Sequence, residues 1–209
     1  MFKYKTIDNF LSEEDFQSLC SIKLKNVGEK EIAVYHNAVY KNGKIEAECI
    51  DDEVLKRLQI NCHDKAISIL KELAPKKVSL YEYSEFHIIE TGSKCSFPIH
   101  SDTANKLLSG VIYLMPKKNK GTFLYESRNG RNSTEIKWKQ NKALFFSRVE
   151  GKSWHSYEGD KESNRIALVY NLMTTNIKGV CEIENVSYFL NRFKEFANPY
   201  LLRFFNRVL

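Results

Sequence analysis

Five histidines occur in the 209 residues, and one of them stands a single residue from an aspartate, in His100-Ser101-Asp102. In extended chain, residues i and i+2 project to the same face, so this imidazole and carboxylate can converge on one metal ion. The pair alone is a weak signal, and a third ligand has to come from elsewhere. His36 falls in an early hairpin and His63 in a long helical stretch, which suit structural or exposed roles. His87 precedes the pair by 13 residues and is placed to line the same cavity. His155 follows the apolar run "ALFFS" and the loop "RVEGKSW", which carry it toward the mouth of a β-rich region.

Ten residues further on, Arg165 opens the apolar run "RIALVYNLM". A hairpin turning at Gly159-Asp160 would set His155 and Arg165 opposite each other on adjacent strands, with Cβ atoms about 4.5–5.5 Å apart. A guanidinium so placed cannot ligate a metal, and its natural use is a bidentate grip on a carboxylate. Two histidines and one carboxylate on one face of an iron leave coordination positions open, the facial-triad arrangement of non-haem Fe(II) sites. An organic acid can chelate two of those positions with its far carboxylate on Arg165, which leaves one for dioxygen.

The whole constellation resembles the 2-oxoglutarate/Fe(II)-dependent dioxygenases, in particular their prolyl-hydroxylase-like branch. That pattern is H-x-D, about fifty residues, H, about ten residues, then R or K. Here Asp102 and His155 are 53 positions apart, and His155 and Arg165 are 10 apart. "GVIYLMP", "KGTFLY" and "ALFFSRVEGKSWHSY" resemble the family's neighbouring strands, so the likeness covers roughly residues 78–173. It implies a double-stranded β-helix (jelly-roll, cupin-like) core. It also implies Fe(II) on His100, Asp102 and His155, and 2-oxoglutarate as cosubstrate with its distal carboxylate on Arg165. Tyr113 matches a tyrosine that adds a hydrogen bond to that carboxylate. Dioxygen is the implied oxidant and ascorbate a candidate stimulant, with a C–H bond hydroxylated and succinate and CO2 released. Met115, Lys120 and Ala167 depart from the family's usual Asn, Gly and R-x-S positions, which leaves the substrate open between a peptide or protein residue and an amino-acid-like small molecule.

The elements that must hold these groups are legible in outline. Residues 2–10 suit a short strand, and Ser12 with Asp15 starts a helix in capping-box fashion. Asn42-Gly43 marks a hairpin. Leu55, Leu58, Cys62, Ala66, Ile69 and Leu73 recur at helical spacing between Asp51 and Pro75. From Lys77 to Met173 short strand-like runs follow one another, beginning with "KVSLYEYSEFHII", a density that suggests a β sandwich or barrel. From Glu184 helical spacing returns; Asn198-Pro199 is expected to end one helix and cap another bearing Leu201, Phe204, Phe205 and Val208. The expected organisation is mainly β with flanking helices. It is one domain over 1–209, with a helical and hairpin region at 1–76, a β core at 77–173 and helices at 184–209. Tyr81 and Tyr83 are core residues with a lesser prospect of lining the pocket. Trp154 would shape its entrance or cover a sheet edge. The C-terminal aromatic stripe would pack, dimerise or form a lid.

Composition narrows the partners. The excess of 32 basic over 26 acidic side chains is small and spread out, with one cluster at Lys117, Lys118 and Lys120. Nucleic-acid grooves concentrate their charge, so a nucleic acid is disfavoured. Five cysteines with no CxxC pair fit reduced thiols in the cytoplasm. No signal peptide or membrane-length apolar run is visible. Three rivals stay open. A nucleic-acid demethylase of the same fold would carry a second Arg six residues after Arg165, where Asn171 stands. A cupin-like metal protein that does not use 2-oxoglutarate would not need Arg165. A non-enzymatic interaction protein would not need three intact ligands. A halogenase would need the Asp102 position vacated.

Overall fold

Alternating apolar residues and long helical repeats resolve into twelve strands and four α-helices in a computed structural model that describes residues 1–205. Strand β1 (Tyr4–Ile7) leads to helix α1 (Glu13–Cys20), whose Asp15 N–H donates to the Ser12 side chain. Strand β2 (Ile32–Tyr35) precedes a hairpin, β3 (Asn37–Tyr40) and β4 (Ile45–Ala47). Gly43, at φ +83°, supplies the left-handed residue that the hairpin turn requires. Helix α2 (Asp52–Leu73) is capped by Asp51. Pro75–Leu80 then forms a 3-10 helix, where strand had been expected from Lys77 onward. Pro75 suits a first helical turn because its φ is already set and it has no N–H to lose. The buried Lys77–Glu184 pair, at 2.6 Å, pins the segment.

The β core follows: β5 (Tyr83–Thr91), β6 (Ser96–His100), β7 (Lys106–Met115), β8 (Thr122–Tyr125), β9 (Thr134–Ile136), β10 (Ala143–Phe146), β11 (Trp154–Glu158) and β12 (Arg165–Met173). Helices α3 (Ile177–Glu184) and α4 (Tyr188–Phe205) close the described chain. Helix α4 runs straight through Asn198-Pro199, where a break and a second helix were expected. A proline removes one backbone hydrogen bond, and turns on either side can carry the helix past it. Val208 lies outside the described residues.

All pairings are antiparallel. The larger sheet has the order β1-β10-β7-β12-β5-β3-β4, with β2 also on β5, and the smaller has the order β6-β11-β8-β9. Together they make the double-stranded β-helix. One face of the large sheet packs on α2: Leu55, Leu58, Cys62, Ala66, Ile69 and Leu70 meet a core that includes Phe86, Ile88, Leu168 and Tyr170. Each fully buried side chain of this kind contributes about 1.5–3 kcal/mol relative to exposure. The same helical face anchors the sheet from behind, so its opposite face is free to meet the small sheet. The five cysteines are all free, and among the described residues no helix is long and apolar enough to cross a membrane.

Candidate metal centre

His100 is the last residue of β6, Asp102 lies in the loop just after it, and His155 is on β11. The register of the small sheet sets His155 directly opposite His100. Their rings come to 4.1 Å between centroids, and one ligand atom from each of His100, Asp102 and His155 lies within 4.8 Å of the others. Each imidazole is oriented from behind. His100 Nδ1 is 2.9 Å from the Pro98 carbonyl, and His155 Nδ1 is 3.0 Å from that of Ser153. A carbonyl only accepts, so each ring carries its proton on Nδ1 and leaves Nε2 bare, that of His155 lying 4.0 Å from Asp102 Oδ2. Backbone carbonyls commonly fix metal-binding histidines in this way.

Electrostatics keep the set ready for a cation. Burial, and then the neighbouring His155, push the His100 pKa down to about 3, and burial also lowers that of His155. Both rings are therefore neutral at ordinary pH, as metal binding requires. Burial works to raise the Asp102 pKa, but the Lys106 ammonium leads the opposing influences, and the carboxylate stays ionised. Lys106 Nζ donates to Asp102 Oδ1 at 2.8 Å and Ser109 Oγ to Oδ2 at 2.5 Å. The loop is held by its backbone too, where Arg148 Nε donates to the Asp102 carbonyl at 3.2 Å. The donor set of two neutral imidazoles and one carboxylate fits Fe(II) or a similar divalent ion.

Arg165 and His155 are not hairpin neighbours, contrary to the sequence-based expectation. β11 pairs with β6 and β8, whereas β12 pairs with β5 and β7, so the two residues stand on different sheets. The connection crosses the sandwich instead of turning back. Gly159 N–H bonds the Cys95 carbonyl and Lys161 N–H that of Ser93, and a Cβ at Gly159 would come to 2.1 Å from the Ser93 oxygen. Arg165 still reaches the cavity shared with His155, across the sandwich. Its guanidinium lies 3.9 Å from the Tyr157 ring centroid, 5.3 Å from that of Trp138 and 5.5 Å from that of Tyr113. It is buried, and it makes no ion pair among the described residues. Burial lowers its pKa, opposed by the phenols of Tyr113 and Tyr157.

Tyr113, expected to bond the cosubstrate's distal carboxylate, lies beside Arg165. Its hydroxyl donates toward Thr122 Oγ1 and the Ile136 carbonyl, both at 3.1 Å, and accepts the Thr122 N–H at 3.0 Å. Its ring stacks on Trp138 beside the Arg165 guanidinium without lining the cavity, and its hydroxyl is already satisfied by protein.

One cavity of about 320 Å³ joins His100, Asp102 and His155 to Arg165. His36, His63, His87, Tyr81, Tyr83 and Trp154 do not line it. His87 pairs with Glu85 and packs on His36, Tyr81 bonds Ser84, Tyr83 stacks on Tyr40, and Trp154 bonds the Gly151 carbonyl. Sequence reasoning missed Lys106, Ser109, Arg148 and Tyr157. Tyr157 alone carried a local signal, two residues beyond His155 and therefore on the same face of its strand.

No protein-family model matches the chain, and no curated protein matches it by sequence. Solved structures do. A prolyl-4-hydroxylase from Pseudomonas putida superposes with a TM-score of 0.56 at 12% identity, over 84% of this chain and 95% of that one. A prolyl hydroxylase from Trichoplax adhaerens, in complex with a hypoxia-inducible-factor peptide fragment, gives 0.56 at 17% identity over 85% and 86%. Dioxygenase for auxin oxidation 1 from Arabidopsis thaliana, bound to 2-oxoglutarate, gives 0.54 at 13% over 83% and 84%. The chain has the fold of the 2-oxoglutarate/Fe(II) oxygenases. At these identities the likeness is one of fold, and the jelly-roll oxygenase architecture is what the metal-ready cluster is built on.

Proposed function

We propose that the protein is an Fe(II)- and 2-oxoglutarate-dependent dioxygenase that hydroxylates a C–H bond of a peptide residue or an amino-acid-like small molecule. The observation that carries this reading is the pairing, in one cavity, of a neutral-histidine and carboxylate metal set with a buried arginine that has no carboxylate partner. His100 Nε2, Asp102 and His155 Nε2 would hold the iron. The metal would supply dioxygen activation, with one oxygen atom entering the substrate as hydroxyl and the other entering succinate as CO2 leaves 2-oxoglutarate.

This chain's residues would do the positioning. Arg165 would take the distal carboxylate of 2-oxoglutarate in a charge-assisted fork, and Tyr157 and Tyr113 would hold the guanidinium in plane from its faces. Lys106 and Ser109 keep Asp102 ionised and aimed. The aliphatic walls Ile89, Val111 and Val169 exclude water from the space between them. A cavity of 320 Å³ lies at the small end of ligand sites, about 300–1,000 Å³, and suits a small acid plus one side-chain-sized group better than a flipped nucleotide. The peptide complex of the Trichoplax neighbour and the 2-oxoglutarate complex of the Arabidopsis one support the same direction.

An anaerobic titration with Fe(II) and 2-oxoglutarate tests it. A weak visible charge-transfer band should develop with both present and disappear in His100→Ala. No band, with no calorimetric binding of 2-oxoglutarate, would remove the proposal.

A further inference from the structure

We infer that the primary substrate presents an uncharged aliphatic group beside an amide N–H, and that Asn171 Oδ1 accepts that hydrogen. The inference rests on the dioxygenase reading and describes the substrate's side of the same cavity.

Strand β12 sends Arg165, Ala167, Val169 and Asn171 into the cavity at alternate positions. At roughly 3.3 Å per residue the run from Arg165 to Asn171 spans about 20 Å. A cation thus marks one end and a primary amide the other. Aliphatic ground lies between and to one side: Ile89 pairs with Ala167, and Val34 pairs with Ile89 from the sheet's edge strand, where its side chain is 39% exposed.

Asn171 is wholly buried. Its Nδ2 donates to Glu85 Oε2 at 3.1 Å. Although burial works to raise it, the Glu85 pKa lies below its ordinary value through His87, Asn171 and Lys106. An ionised carboxylate only accepts, so this bond fixes the amide's orientation and turns Oδ1 away from Glu85. Asn171 Oδ1 has no hydrogen-bond partner among the described residues. A buried acceptor left so is destabilising, and a ligand's donor would lift that cost. The location is pertinent: Asn171 is the cross-strand neighbour of Ser109, whose hydroxyl holds Asp102.

The surroundings define the donor. Lys106 is committed to Asp102, and Glu85 to His87 and Asn171, so neither end of a charged substrate would find a free counterion here. An uncharged N–H remains, next to a group that the aliphatic wall can cover. Peptide-bound proline has no N–H, so in a peptide the donor would belong to another residue.

The test uses the full chain loaded with Mn(II) and 2-oxoglutarate. Calorimetry compares N-acetyl-leucine methylamide, its analogue with both amide hydrogens replaced by methyl, and N-acetyl-lysine methylamide. The leucine amide should bind about five- to tenfold more tightly than its methylated analogue, and the lysine probe should bind more weakly than leucine. Asn171→Leu should erase the difference between the two leucine compounds. Should that variant fail to fold, the wild-type ratio decides alone. Equal affinity of the two leucine compounds, preference for lysine, or no binding of any probe while 2-oxoglutarate binds would overturn the inference. Failure of 2-oxoglutarate to bind in the same sample would instead strike the dioxygenase reading on which it stands.

Discussion

Two arginines are buried among the described residues, and their surroundings are opposite. Arg148, 1% exposed, has every part of its fork occupied: Nη1 meets Glu184 at 2.5 Å, Nη2 meets Glu150 and also Asn191 at 2.8 Å, and Nε meets the Asp102 carbonyl. Lys77 joins Glu184 from the far side. Arg165, 6% exposed, lies against aromatic rings, faces the cavity and makes no ion pair among the described residues. Burying a charge is costly unless it is paired. The closed cluster meets that requirement within the chain and reads as architecture, bracing the Asp102 loop against α3 and α4. The open one leaves it to a ligand. Burial of charge alone therefore does not point to a functional site; burial with an unspent bonding direction facing a cavity does.

The sharpest way to break this contrast is at the metal ligands. Asp102→Ala should abolish Fe(II) binding, because two neutral imidazoles alone lack the carboxylate that holds a hard divalent ion; calorimetry with Fe(II) under anaerobic conditions reads it out. Retained full affinity would sink the ligand assignment. Next in size is the stability difference between the two arginines. Arg148→Met takes one of two cations from buried Glu184, which keeps Lys77, and one of two from half-buried Glu150, which keeps Lys194, and it leaves the Asn191 and Asp102 acceptors unpaired. It should cost about 3 kcal/mol, a fall in Tm on the order of ten degrees for a chain of this size. Arg165→Met removes an uncompensated cation and should leave the Tm of the ligand-free protein level or raised. Equal losses in thermal melts of the two variants would erase the distinction.

Ligand affinity should invert that order. Arg165→Ala should weaken 2-oxoglutarate binding roughly tenfold to a hundredfold, at 1.5–3 kcal/mol for a charged hydrogen-bond pair, while Fe(II) affinity stays close to wild type. Arg165→Lys should keep part of the binding, retaining the charge and losing the fork. The smallest expected change is at the aromatic support. Tyr157→Leu should cost about three- to tenfold in 2-oxoglutarate affinity, the scale of one desolvated cation–π contact. No change in a titration of that variant would mean that the stacking does not position the guanidinium.

The sequence made the residues of the candidate site legible and hid the topology. His100, Asp102, His155 and Arg165 were readable because residue type and spacing along strands are local properties. Their joint placement in one cavity followed, but the route did not. The interval from His155 to Arg165 looks the same whether the chain turns back as a hairpin or crosses to the other sheet. Only non-local pairing, β12 with β5 and β7, separates the two. Arg148 was invisible for the same reason, since it reaches Asp102 from 46 positions away, whereas Lys106 and Ser109 stand four and seven positions after Asp102 and their contacts depend on how the turn into β7 folds, which spacing does not announce. For Tyr113 the strand was foreseen, but the bonds of its hydroxyl to Thr122 and Ile136, on strands of the other sheet, are ones that no spacing rule announces.

The opposition of His100 and His155 across the β6–β11 register has a thermodynamic corollary. An ion gripping both rings would act as a staple between strands whose paired ligands are 55 positions apart in the chain. Because the unfolded chain cannot offer that grip, each tenfold rise of free metal above its dissociation constant would add about 1.4 kcal/mol to folding stability. The small sheet would then be a gauge of metal supply: chelator in a buffer would lower the melting temperature of a protein whose sequence had not changed, and a simple melt would report occupancy before any turnover was measured.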